Sequence, residues 1–346
     1  MSLLTLLKAR GSTTLVRSVQ QVTITIAANA TSGTATISSV DTTKSLPLSR
    51  SQSTDNTTTS AAEVFARVEL TNATTVTAYR NTASATNTVT VIATIIEFTA
   101  AAVNSVQTGT IAITGTSNTA TISAVTTGVP VYLGLTTTQT VTAANTLLAT
   151  VELTNSTTVT AARDTSSADT VTVGYAVIDC KAALVNSVQR RSVTLTSALT
   201  ADTDTISGVT ASNTILIPNG STSATTGHTN SQYTLGLTNG TTVTLTRGGT
   251  STSSRTIKYT ALEFASGVLR SLQRATTAFS TPPQDDTVTA VGSRAFVNPV
   301  GAATGSVSNW SQVHASAALQ GATTVRLNKT GTGVTSTVSY EVAEFA

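Results

Sequence analysis

Apolar residues alternate with Thr and Ser along most of this chain, and no segment keeps a helical period. Val22, Ile24 and Ile26 fall on one face, and turn residues at Ala27-Ala28-Asn29 and Ser32-Gly33 lead to Ala35-Thr36-Ile37. Further on, Val76, Ala78 and Arg80 share a face, as do Val89, Val91, Ala93, Ile95 and Glu97. Successive side chains of a strand point to opposite faces, so a period of two marks half-buried strands. The abundance of Thr and Val supports this, because β-branched side chains suit a pleated surface. Val185 to Gln189 and Gly267 to Arg274 read as linker entering the next strand.

The alternation is organised into a fourfold repeat. Each unit opens on Ser-apolar-Gln: Ser18-Val19-Gln20, Ser105-Val106-Gln107, Ser187-Val188-Gln189 and Ser271-Leu272-Gln273, with the Gln residues 87, 82 and 84 positions apart. A second marker, Leu-Thr-Asn-x-Thr-Thr-Val-Thr, runs from Leu70, Leu153 and Leu237, and decays to Leu319-Gln320-Gly321-Ala322-Thr323-Thr324-Val325. Each unit closes acid-then-apolar, at Glu97-Phe98, Asp179-Cys180, Glu263-Phe264 and Glu344-Phe345. The boundaries are an N-terminal segment 1–16, expected to act as an anchor, and repeats at 17–103, 104–185, 186–267 and 268–346, the last divergent. About six strands per unit predict an all-β chain of four tandem small antiparallel β-sandwich domains. Without Pro- or Gly-rich spacers, these are expected to form a stiff rod or arc.

The loop of about eight residues between the second and third markers predicts that these two strands form an antiparallel hairpin. That register sets Glu97 opposite Asn72, Asp179 opposite Asn155 and Glu263 opposite Asn239, as structural contacts at the junction between repeats. It also leaves the basic residues Arg80, Arg163, Arg247 and Lys329 at the far end of the hairpin from the acids.

Composition narrows the function. Charged residues are only 10% of the chain and aromatics 4%; 19 Lys and Arg against 16 Asp and Glu give a net charge of +3. The basic residues are scattered, with Arg190-Arg191 the tightest pair, which argues against a nucleic-acid partner. No apolar run is long enough to span a bilayer. The charges Lys8 and Arg10 follow the apolar stretch Leu3-Leu4-Leu6-Leu7, the reverse of an export signal. No catalytic, metal or cofactor site is expected. His228 and His314 have no partners at ligand spacing, and the Ser and Thr residues form no nucleophile elbow. Asp202-Thr203-Asp204 and Gln284-Asp285-Asp286 offer too few oxygens for calcium. Cys180 takes the place of Phe98, Phe264 and Phe345 and reads as a packing residue. The fourth repeat gains Phe296 and Trp310, which, with Leu3, Leu4, Leu6 and Leu7, are the candidate interface residues.

The Ser-Val-Gln opening, the segment Val151 to Thr160 and the closing Val338 to Phe345 resemble the tandem small β-sandwich repeats of tailed-bacteriophage virion structural proteins, of decoration or fibre type. The resemblance covers the chain from Arg17 onward and is weakest in the last repeat. It implies a non-enzymatic virion protein, assembled in the host cytoplasm, on a head, collar or tail. The expected partners are other virion proteins and further copies of the chain. A host-receptor- or glycan-binding fibre using the fourth repeat is the alternative.

Overall fold

The computed structural model describes residues 14–54, 60–140, 143–224, 232–250, 253–304, 314–330 and 333–346. The first repeat contributes β1 (Val16–Ile26), β2 (Ser32–Thr36), β3 (Ser45–Thr54), β4 (Arg67–Asn72), β5 (Thr75–Tyr79) and β6 (Val89–Phe98). They form two half-sheets, in the orders β1-β6-β3 and β2-β5-β4. Ile24 and Ile26, Val68, Val76 and Ala78, and Val89, Val91, Ala93 and Ile95 meet in one core between the halves. This is the packing that alternate-face patterning demands.

The plan recurs three times. The second repeat holds β7 (Val103–Ile113), β8 (Ser117–Thr121), β9 (Gly128–Thr137), β10 (Ala149–Asn155), β11 (Thr158–Arg163) and β12 (Val171–Cys180). The third holds β13 (Val185–Leu195), β14 (Ala201–Thr205), β15 (Thr214–Ser223), β16 (Tyr233–Asn239), β17 (Thr242–Arg247) and β18 (Arg255–Phe264). The fourth holds β19 (Leu269–Phe279), β20 (Gln284–Thr287), β21 (Ala295–Thr304), β22 (Ala315–Leu319), β23 (Thr324–Lys329) and β24 (Ser336–Phe345).

Sheets are shared between repeats, which overturns the expected tandem sandwiches. The orders are β2-β5-β4-β9-β12-β7, β8-β11-β10-β15-β18-β13 and β14-β17-β16-β21-β24-β19, each joining halves of two successive repeats. With the three-stranded sheets β1-β6-β3 and β20-β23-β22 there are five, and counted by sheets the fold is a five-bladed β-propeller. The two short blades come from the two ends of the chain. Together they hold, in the same order, the strand set of one six-stranded blade, and β22 lies against β3. The Gln21 side chain donates to the Leu319 carbonyl at 3.2 Å and accepts from its N–H at 3.1 Å, tying first repeat to last.

Glycine makes the sharing possible. In β9, β15 and β21 the ladder is interrupted beside Gly134, Gly220 and Gly301, whose φ values are +92°, +88° and +139°. At these points Gly134 pairs with Arg67, Gly220 with Thr150 and Gly301 with Thr234 of the preceding repeat. A Cβ at each would stand 2.2 Å from the carbonyl oxygen of Ala66, Ala149 or Tyr233. Only glycine tolerates both the conformation and the approach. The matching residue of β3 is Ser51, and among the described residues no bridging pair joins β3 to β22.

The strands β3, β9, β15 and β21 face one another around a common axis. Leu46 and Leu48, Val129, Val131 and Leu133, Ile215 and Ile217, and Phe296 build a central core there. The closing residues Phe98, Cys180, Phe264 and Phe345 enter the same core. Phe296 stacks on Phe345 with centroids 5.6 Å apart, so it is a core residue, 2% exposed, and not an interface anchor. Leu3, Leu4, Leu6, Leu7 and Trp310 lie outside the described residues.

The surface area is inconsistent with a rod or arc. It is 13211 Å², against about 13,100 Å² for one compact monomer of this mass and about 19,000 Å² for four separate domains. No helix among the described residues is long and apolar enough to cross a membrane.

Candidate functional site

The closing acids do not meet the Asn residues. The second marker is itself a hairpin, β4 against β5 with Asn72 opposite Thr75, while β6 runs between β1 and β3 in the other half-sheet. Glu97 accepts from Arg17 Nη1 (3.0 Å), Ser18 Oγ (3.2 Å) and the Asp41 N–H (3.1 Å). Asp179 accepts from Asn104 Nδ2 (2.9 Å) and the Thr126 and Thr127 N–H groups (2.9 and 3.0 Å). Glu263 accepts from Asn186 Nδ2 (2.7 Å), Ser187 Oγ (3.0 Å) and the Thr210 N–H (2.8 Å). Glu344 repeats the pattern on Arg270, Ser271 and Gly292. A buried carboxylate needs such donors. Burial pushes Glu263 up, but the Thr210, Asn186 and Ser187 donors outweigh it and hold the group below its ordinary value. Each acid therefore ties the opening of its own repeat to the loop before the axial strand. Asn72, Asn155 and Asn239 instead accept from the N–H of Thr74, Thr157 and Thr241 at 2.8–2.9 Å, closing their own two-residue turns.

Two further sets recur. Gln20, Gln107, Gln189 and Gln273 each exchange both amide hydrogen bonds with the backbone of Ser38, Ser123, Ser207 or Thr289, a partner the Ser-apolar-Gln motif alone does not reveal. The basic residues at the end of the second marker are buried and donate to loop carbonyls. Arg80 reaches Ala27, Ala30, Glu63 and Asn87, and Lys329 reaches Phe279 and Val334. None of them pairs with a closing acid among the described residues.

The acidic loops are satisfied by protein partners. Asp204 accepts from Arg191 and from the Tyr259 hydroxyl at 2.8 Å; Asp286 accepts from the Tyr340 hydroxyl at 2.8 Å; Asp285 pairs with Arg326. Among the described residues no three His, Cys, Asp or Glu side chains gather at metal-binding distance. Burial, with Asp179 next to it, pushes the Cys180 thiol up to about 12. His228 lies outside the described residues.

What the sequence did not reveal is a pocket on the axis, about 210 Å³ in volume, toward the C-terminal ends of the four axial strands. Matching positions of all four repeats line it: Phe65, Leu148, Gln232 and His314, then Ala66, Ala149, Tyr233 and Ala315. Gln52, Leu135, Ser221 and Ala302 form another such set. The copies differ most in the third repeat. Arg255 occupies the position of Val89, Val171 and Ser336, and it is 3% exposed. Its Nη2 donates to Ser221 Oγ, and its guanidinium carbon lies 5.3 Å from the centre of the Tyr233 ring. Its Nε and Nη1 are buried without a hydrogen-bond partner. Burial lowers the Arg255 pKa to about 10, Tyr233 opposes the shift and Arg247 adds to it. His314 packs edge-on against Phe65 at 4.9 Å with Nδ1 unpartnered, and burial lowers it to about 4 although the residue keeps some exposed area. At neutral pH the pocket thus holds a neutral imidazole and one guanidinium with spare donors. Comparison with known protein families, with curated proteins and with solved structures finds no match to this chain.

Proposed function

We propose that this chain is a non-enzymatic structural protein carried on the outer surface of a bacteriophage virion, on the head, collar or tail. Its partners there are other virion proteins and further copies of itself. The observation that carries this reading is the use made of the repeated polar signature. The opening Gln, the closing acid, the turn Asn and the buried cation hold loops and strands in place in at least three repeats each. A motif spent on a framework fits a protein selected for shape and durability, and the likeness of the repeat markers to virion repeats points the same way. The fibre alternative uses the fourth repeat, whose candidate interface residues are Phe296 and Trp310. Phe296 is buried in the central core and is not open to a receptor or glycan.

Gold-labelled antibody against the protein, applied to particles purified from the source, tests the proposal by negative-stain electron microscopy. Label on heads, collars or tails is the expected result. Unlabelled particles alongside labelled cell envelopes would overturn it.

A further inference from the structure

The axial pocket is where the four repeats stop being equivalent, and what the third repeat adds there is a cation with no counter-ion among the described residues. Arg255 replaces small or apolar residues of the other copies, and Tyr233 replaces three alanines. Among the described residues no acidic side chain forms an ion pair with Arg255. The Nε–H and both Nη1–H donors are buried and unused, whereas the buried guanidinium of Arg163 gives all five of its donors to carbonyls. A buried charge left in this condition is costly, and an anion entering the pocket would offset the cost. The remaining walls set hydrocarbon and rings, from Phe65, Tyr132, Leu148 and Tyr233, beside the polar side chains of Gln52, Gln232 and His314.

We propose that the axial pocket binds a small organic carboxylate, its head group on Arg255 and its apolar body between Tyr233, Phe65 and Leu148. A single guanidinium matches one negative charge, and the rings and hydrocarbon of Phe65, Leu148 and Tyr233 suit an apolar body that an inorganic oxyanion lacks. The site goes beyond the structural role proposed above and does not depend on it.

Benzoate is the probe, titrated into the full chain by isothermal calorimetry and by thermal unfolding, with inorganic phosphate and acetate alongside. The expected result is saturable one-site binding of benzoate with Kd of about 1 mM or tighter, and a rise in unfolding midpoint with benzoate concentration. Acetate should bind more weakly because it lacks the body. Arg255→Val installs the residue of the first two repeats, and should stay folded while weakening benzoate at least about tenfold. Arg255→Gln serves the same purpose if the valine variant loses its β-sheet spectrum. Tyr233→Ala should also weaken benzoate. No saturable binding of benzoate, or equal affinity in a folded Arg255 variant, would overturn the proposal. So would phosphate binding at Arg255 more tightly than benzoate.

Discussion

Gly220→Val is expected to destabilise the protein by about 4 kcal/mol, seen as a lowered urea midpoint. The φ of +88° costs a β-branched residue roughly 1–3 kcal/mol, and the new side chain must displace the Ala149 carbonyl, 2.2 Å from its Cβ, for roughly as much again. The substitution acts where Thr150 bridges to Gly220, so it should loosen the join between second and third repeats as well as strain β15. Gly208→Ala is the control. Among the described residues no atom beyond its chain neighbours lies within 4 Å of its Cβ position, and it should shift stability by less than about 0.5 kcal/mol. Equal effects from the two substitutions would show that the close approach at Gly220 does not hold the repeats together.

The second large effect is expected at Arg163. Its Nε donates to the Gly115 carbonyl (2.7 Å), Nη1 to Thr146 (2.8 Å) and Asp169 (3.0 Å), and Nη2 to Thr114 (2.7 Å) and Ser167 (3.0 Å). Burial lowers its pKa, with Asp169 opposing, yet the carbonyls keep the charge solvated inside the protein. Arg163→Met leaves those acceptors without their donor and should cost more than about 3 kcal/mol in urea unfolding. Arg163→Lys should lose less, because Lys329 performs this task in the fourth repeat. Arg326→Met removes an exposed partner of Asp285 and should leave the urea midpoint nearly unchanged. A ranking with Arg326→Met as the more damaging change would contradict the role given to Arg163.

The strands were legible because a period of two survives in any half-buried sheet, and the repeat was legible because its polar residues each have a fixed structural partner. Pairing was harder. Val68 and Leu70 keep phase with Val76 and Ala78 across the turn Ala73-Thr74, so the second marker read as one strand when it is a hairpin. The eight-residue loop after it then looked like the hairpin turn, and Glu97 was set opposite Asn72. Ring closure depends on the positions where alternation breaks. Gly134, Gly220 and Gly301 each follow by two residues a Tyr or Pro of the axial strand, and that recurrence was available in the sequence as a signal of close backbone approach. Phe296 read as an interface anchor because an aromatic gained by one repeat can equally fill a core shared by all four. The pocket could not be read, since Phe65, Leu148, Gln232 and His314 are unremarkable until the axis brings them together.

If the four repeats close into one ring, the molecule is a single globule, and small-angle X-ray scattering of the monomer in solution measures whether it is. A single globule of this length should give a radius of gyration of about 20 Å, whereas four domains in a row should give about 35 Å. A value near 20 Å is the result the closed fold predicts. A value above about 30 Å would mean that first and last repeats do not meet, and would contradict it.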